Sequence, residues 1–151
     1  MRKKMDNKGF SLVELIIVIA IMAVLVGVLA PQFMKYVEQS RKSTDIQNAE
    51  MIRDAILADI ADGTLTGSDA SVTATFVDWS TTPGSGNVCA SGIVTAPKVV
   101  GTADGVTPGT TKFSVTYNVI KGTCEVKVGG YTLTDATVAG YYKAGKKADG
   151  T

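Results

Sequence analysis

The hydrophobic pattern changes period along this chain. Residues 15–34 carry no charged side chain, and these 20 residues at about 1.5 Å each make roughly 30 Å, one bilayer hydrocarbon thickness. From Lys35 onward charges return without ending the helical period: Ile46, Ala49, Ile52, Ile56 and Ile60 recur every three or four residues. Glu38, Arg41, Lys42, Asp45, Glu50, Arg53 and Asp54 are expected mostly on the other sides, so one face should rest on a folded domain. Gly63, after Asp62, supplies a C-terminal stop. The whole therefore reads as one helix over residues 10–62, some 80 Å if straight. Within it, glycine at 27 weakens a turn and proline at 31 removes a donor, so the helix is expected to bend or unwind between Gly27 and Pro31.

Past Gly63 the composition turns to Thr, Ser, Gly and Val, and the period falls to two. Phe113, Val115, Tyr117 and Val119 alternate with Lys112, Ser114, Thr116 and Asn118; Cys124, Val126 and Val128 alternate with Thr123, Glu125 and Lys127. This predicts a hairpin turning at Lys121-Gly122, with one face in a core and one in water. Residues 131–134 and 138–142 are expected to add a third and a fourth strand, and residues 72–77 and 88–94 weaker strands within a Gly- and Ser-rich stretch. The predicted class is α+β: a long N-terminal helix, apolar and then amphipathic, packed on a C-terminal antiparallel β-sheet head.

Charge changes the picture at the start. Arg2, Lys3, Lys4 and Lys8 stand against Asp6, which places this end on the cytoplasmic side of a membrane. Residues 15–34 are too long for the core of an ordinary cleaved signal peptide, and a cut after Ala30 would fall before Pro31. A plain signal anchor accounts for the apolar run but not for Glu14 at its mouth. A carboxylate at mid-bilayer costs about 2.5 to 3.5 kcal/mol on insertion scales and less near the interface, so Glu14 calls for compensation.

The chain as a whole is nearly neutral, +1, and offers no basic surface for nucleic acid. It has no histidine, which removes the commonest general base and the commonest metal ligand. No G-x-S-x-G, phosphate loop or helical S-x-x-K is present, so a membrane-anchored enzyme is the weakest reading and no cofactor is expected. Asp62, Asp69, Asp78, Asp104, Asp135 and Asp149 are scattered rather than grouped for calcium.

The stretch K-G-F-S-L-V-E-L, residues 8–15, resembles the class III signal of type IV pilins and their pseudopilin relatives: a short basic leader, a Gly-Phe junction, a glutamate four residues past the Phe, then a long apolar helix. The resemblance is detailed over residues 8–36 and architectural beyond. It implies that a prepilin peptidase cuts after Gly9, on the cytoplasmic side, and N-methylates Phe10. Residues 1–9 would be the leader, 10–34 the transmembrane and filament-core helix, 35–62 the amphipathic helix and 63–151 the head, with a variable connecting region over 63–111 and the antiparallel sheet over 112–143. Cleavage creates an amine at Phe10 on the helical face of Glu14. In the family this glutamate neutralises the amine of an adjoining subunit, so Phe10 and Glu14 are the expected assembly residues, and the Gly27–Pro31 stretch melts as subunits leave the bilayer. The leader takes four of the 15 basic side chains and one of the 14 acidic, leaving 11 against 13 and a net of −2.

The expected partners are further copies of the chain in a helical filament, the prepilin peptidase, an assembly ATPase and an inner-membrane platform protein. The chain would be a single-pass membrane protein with its N-terminus inside before assembly, and extracellular afterwards. The main reading is the major subunit of a type IV pilus serving adhesion, motility or DNA uptake; the alternative is a pseudopilin of a type II secretion or competence system. Cys89 and Cys124 both fall in the head, which fits an oxidising compartment. A bridge between them would restrict the unfolded chain by roughly 3 to 4 kcal/mol. Two buried free thiols are the other possibility.

Overall fold

A computed structural model describes residues 10–67, 71–78 and 86–151. The leader with its Gly9 junction, and Asp69, lie outside the described residues. The chain divides into two units, Met1–Val37 and Glu38–Thr151, each taken by itself here. The helix α1, Leu12–Ala61, contributes to both.

In the first unit, the side chains from Leu12 to Met34 stand exposed, among them Ile17, Val24 and Leu29. None of the unit's described residues covers this surface, and its length and composition suffice to cross a membrane. Residues 27–31 are helical, with Pro31 inside α1. Proline has no N–H to give the carbonyl four residues back, which here is that of Gly27, so the two residues expected to weaken the helix act on the same turn.

The second unit holds the rest of α1 and a five-stranded sheet. Its strands are β1 (Val72–Phe76), β2 (Asn87–Val88), β3 (Phe113–Asn118), β4 (Thr123–Val128) and β5 (Tyr131–Thr132), in the order β2-β1-β3-β4-β5. The predicted β3–β4 hairpin is present, with Val115 opposite Val126 and Phe113 opposite Val128, all four buried. Its turn is closed by Gly122 at φ 60° and by the Lys121 amide, which donates to Asn118 Oδ1 at 2.8 Å.

The sheet departs from the expected antiparallel one at its edge. β2 pairs parallel to β1, through Thr75 with Asn87 and Phe76 with Val88, so the sheet is mixed. Residues 89–94 leave it, and only Asn87–Val88 of the weaker second strand pairs.

Residues 138–142 are not a fourth strand. They belong to helix α2, Ala136–Ala144. Asp135 caps its start, accepting from the amides of Thr137 and Val138 at 2.9 and 3.1 Å, and left-handed Gly145 at φ 74° ends it. The aromatic and β-branched run Val138, Tyr141, Tyr142 favours a strand locally, but a capping aspartate and a terminal glycine ten residues apart bound a short helix. Ala139 and Tyr142, three apart, form its buried stripe.

The face of α1 toward the core includes Ala49, Ile52 and Ile56, all fully buried, with Ile46 and Ile60 half-buried. It also includes residues expected on the wet side, since Lys42 and Asp45 are buried and Glu38 is half-buried, and it includes the buried Asp59. Positions 38, 42, 45, 49, 52, 56 and 59 follow one strict alternation of four and three. The face is therefore a single stripe whose centre is apolar and whose ends are charged. Past it, Gly63 at φ 79° and the Leu65 amide, donating to Asp59 O at 2.9 Å, close the helix.

This placement predicts that Ile52→Ala lowers head stability by about 2 to 5 kcal/mol, through lost transfer energy and a cavity. Met51→Ala, one residue away on the exposed side, should change it by less than about 0.5 kcal/mol. Chemical denaturation of the detergent-solubilised chain measures both; equal effects would contradict the assigned face.

Candidate functional site

The N-terminal segment begins with Phe10, 88% exposed, followed by Ser11, and α1 starts at Leu12. Ser11 is thus the cap position and Glu14 the third helical residue. The Glu14 carboxylate reaches back and accepts from the Ser11 amide at 3.3 Å, while the Ser11 carbonyl accepts the first helical bond, from Leu15 N, at 3.2 Å. This is one half of a capping box, in which a side chain satisfies an amide that the helix leaves without a partner. The sequence signal, S-x-x-E before an apolar run, is present in S-L-V-E. Glu14 accordingly has a role within its own chain, beside any role toward an amine.

Gly27 has open space where a Cβ would project. The structure brings neither Gly27 nor Pro31 against another side chain of the first unit. Both are exposed with the rest of the apolar surface.

In the head, the acidic residues of α1 converge on backbone amides. Asp45 is fully buried and accepts three hydrogen bonds: from the amides of Val100 and Gly101 at 2.9 and 2.7 Å, and from the Tyr142 hydroxyl at 2.7 Å. Asp59 accepts from the Ser91 amide at 2.8 Å and from the Ser91 hydroxyl, and Glu38 accepts from the Thr102 amide. Glu38, Asp45 and Asp59 lie seven and fourteen residues apart, on one face. Residues 91–102 run the opposite way: Ser91 meets the end of the helix and Thr102 its earlier part. The Ile93 amide donates to the Ala90 carbonyl at 3.0 Å, so the segment begins with a turn before it follows α1.

Gly101 is where the segment comes closest. A Cβ there would sit 2.7 Å from the Tyr142 hydroxyl and 2.8 Å from both Asp45 Oδ2 and Lys42 Cγ. The Lys42 ammonium lies 5.6 Å from the centroid of the Tyr142 ring, whose other neighbour is Tyr131, edge-on at 5.2 Å. Burial, and then the Asp45 carboxylate that accepts its proton, hold the Tyr142 hydroxyl far above the ordinary phenol range. These partners were not singled out from sequence; the four-three spacing of charged residues in register with Ala49, Ile52 and Ile56 was the available signal.

The other aspartates shape turns and caps. Asp62 accepts from the Thr64 amide, Asp78 from Ala96, Asp135 caps α2 and Asp149 accepts from Thr151. Among the described residues no three His, Cys, Asp or Glu side chains gather where a metal ion could be held.

Cys89 and Cys124 are free, which corrects the expected bridge. Cys89 follows β2 and Cys124 lies in β4, with β1 and β3 between the two strands. Three strand spacings amount to about 14 Å, twice the Cα separation a disulfide tolerates. Cys124 does face the core side with Val126 and Val128, half-buried. Burial pushes its thiol up from 9.0 to about 12, with the Arg53 guanidinium pulling the other way. Burial and the Asp59 charge likewise raise the Cys89 thiol.

Two outcomes follow. Asp45→Ala leaves two amides and a phenol without their acceptor and should cost about 3 kcal/mol or more in denaturation, against well under about 1 kcal/mol for Asp54→Ala on the exposed face. For Cys124, the folded state favours the protonated thiol, so its contribution is complete below pH 9 and is lost as pH rises toward about 12. The stability difference between the wild-type chain and Cys124→Ala should therefore narrow over that interval; a constant difference between pH 8 and pH 11 would contradict the burial of this thiol.

Residues 4–30 match the family described as the prokaryotic N-terminal methylation motif. The chain is also similar to type IV major fimbrial proteins FimA of Dichelobacter nodosus. One is 35% identical over 75 residues, covering 50% of this chain and 44% of the relative. Another is 37% identical over 57 residues, covering 38% and 36%. The matched part thus spans less than half the length of these relatives. No solved structure matches the chain.

Proposed function

We propose that this chain, whose N-terminal methylation motif and similarity to FimA proteins support a type IV pilin, is the major structural subunit of a type IV pilus, an extracellular filament used in adhesion, motility or DNA uptake. The observation that carries this reading is the bare apolar surface of α1 from Leu12 to Met34, which none of the described residues of its unit covers. Such a surface needs lipid before assembly and neighbouring helices afterwards. The names of the FimA relatives favour a major subunit.

In this reading a prepilin peptidase removes residues 1–9 after Gly9 and methylates the amine of Phe10. The subunit waits in the cytoplasmic membrane with that end inside. An assembly ATPase and an inner-membrane platform protein then move it into the filament. There the Gly27–Pro31 turn, short of one hydrogen bond, is the place where the helix yields.

Glu14 fixes the register. Within one chain it satisfies the Ser11 amide; in the filament its charge meets the Phe10 amine of a neighbour. A carboxylate left unpaired among apolar helices is costly, so registers that lack the pair are disfavoured.

Two substitutions separate capping from charge. Glu14→Gln keeps an acceptor for the Ser11 amide and removes the charge, while Glu14→Ala removes both. Both variants are expected to reach the membrane and to be cleaved, yet to yield less than about a tenth of the wild-type amount of sheared fibre. Wild-type fibre from Glu14→Gln would reduce Glu14 to a cap and overturn the register role. Activity in adhesion, twitching and transformation assays of a strain lacking the chain would identify which use the filament serves.

A further inference from the structure

Residues 91–102 are held unlike any other part of the head. They have no strand partner among the described residues, and their grip on α1 consists of side-chain carboxylates: Asp59 at Ser91, Asp45 at Val100 and Gly101, Glu38 at Thr102. Further attachments are few. Ala96 donates to Asp78 at 2.6 Å, the Val99 carbonyl accepts from the Gly109 amide at 2.9 Å, and Ile93 and Val99 are the apolar side chains buried beneath the segment. Val94, Thr95 and Lys98 face solvent.

The three attachments to α1 are graded. The Glu38 bond is exposed, so water competes for the acceptor, and the other oxygen of its carboxylate stands 3.9 Å from the Arg41 guanidinium. The Asp59 pair is partly buried. Asp45 is dry, and the third of its donors comes from α2. Since Tyr142 is itself fully buried, edge-on to Tyr131 and beneath Lys42, α2 and residues 91–102 share one carboxylate.

We propose that residues 91–102 are a releasable strap, which opens from its Thr102 end while the sheet stays folded, and that Tyr142 is its lock. Water replaces the Glu38 bond first because that bond is already exposed. The Val100 and Gly101 amides follow only when the Asp45 clasp loosens, and the Tyr142 hydroxyl keeps Asp45 aimed at them. Segments with few buried apolar contacts and exposed hydrogen bonds open below the global unfolding free energy. The device is contained in one chain and operates whether or not that chain polymerises.

Amide hydrogen exchange of the full chain in detergent micelles tests it. In the wild-type chain the amides of Val100, Gly101 and Thr102 should exchange at least about tenfold faster than those of Val115 and Val126 in the central strands. Tyr142→Phe should speed Val100 and Gly101 by about tenfold, the effect of one charge-assisted hydrogen bond, while Val115 and Val126 speed only by the loss of global stability measured in denaturation and stay slower than the strap. Glu38→Gln, a change at the partly exposed end that the fold should tolerate, should speed Thr102 several-fold and leave Ser91 as it was. A single opening rate shared by strap and sheet in the wild-type chain, or a Tyr142→Phe chain in which Val100 and Gly101 exchange as before, would make residues 91–102 an ordinary part of the core and overturn the proposal.

Discussion

An amide N–H taken out of water must find an acceptor, and this head has a long segment whose amides no strand accepts. The acceptors come from α1. Glu38, Asp45 and Asp59 stand on the helix face that also carries Ala49, Ile52 and Ile56, so one stripe supplies the apolar floor of the core and the carboxylates that hold residues 91–102 across it. Asp45 is the critical member. Its two strap amides and the Tyr142 hydroxyl meet at one buried group, joining α1, the strap and α2. The bare Cα of Gly101 is what permits so close an approach.

The same principle governs the first turn of α1. Glu14 accepts from the Ser11 amide, which the helix leaves without an internal partner. In the first unit this carboxylate adjoins the apolar run, and the bond ties it to the start of the helix, where the macrodipole favours a negative charge. Acidic residues in both units thus accept from main-chain donors. What differs is exposure: Glu14 is exposed, and Asp45 lies in a dry core.

Much of this was legible in the sequence because period and burial are directly linked. The charge-free run, the Ile stripe of α1, the β3–β4 hairpin and the Gly63 stop follow from spacing alone. Residues 138–142 were misread because valine and tyrosine favour a strand locally; Asp135 and Gly145, the capping pair, decide for a helix, and Tyr142 gains its partner only there. Asp45 and Lys42 were placed on the wet side because charge was taken as exposure. Their positions in the four-three repeat overrule that, but their partners lie in loops whose course has no periodic signal. The bridge expected from two cysteines failed for a topological reason, since strand order cannot be read from spacing and it sets β1 and β3 between them.

If this helix leaves the bilayer as a processed subunit, the intact mass and N-terminal sequence of the chain in fibres sheared from its native cells will show it. The chain is then expected to begin at N-methylated Phe10, lacking residues 1–9 and carrying one added methyl group. A chain that begins at Met1 and is recovered only from membranes would contradict it, leaving a signal-anchored head whose Glu14 serves as a helix cap alone.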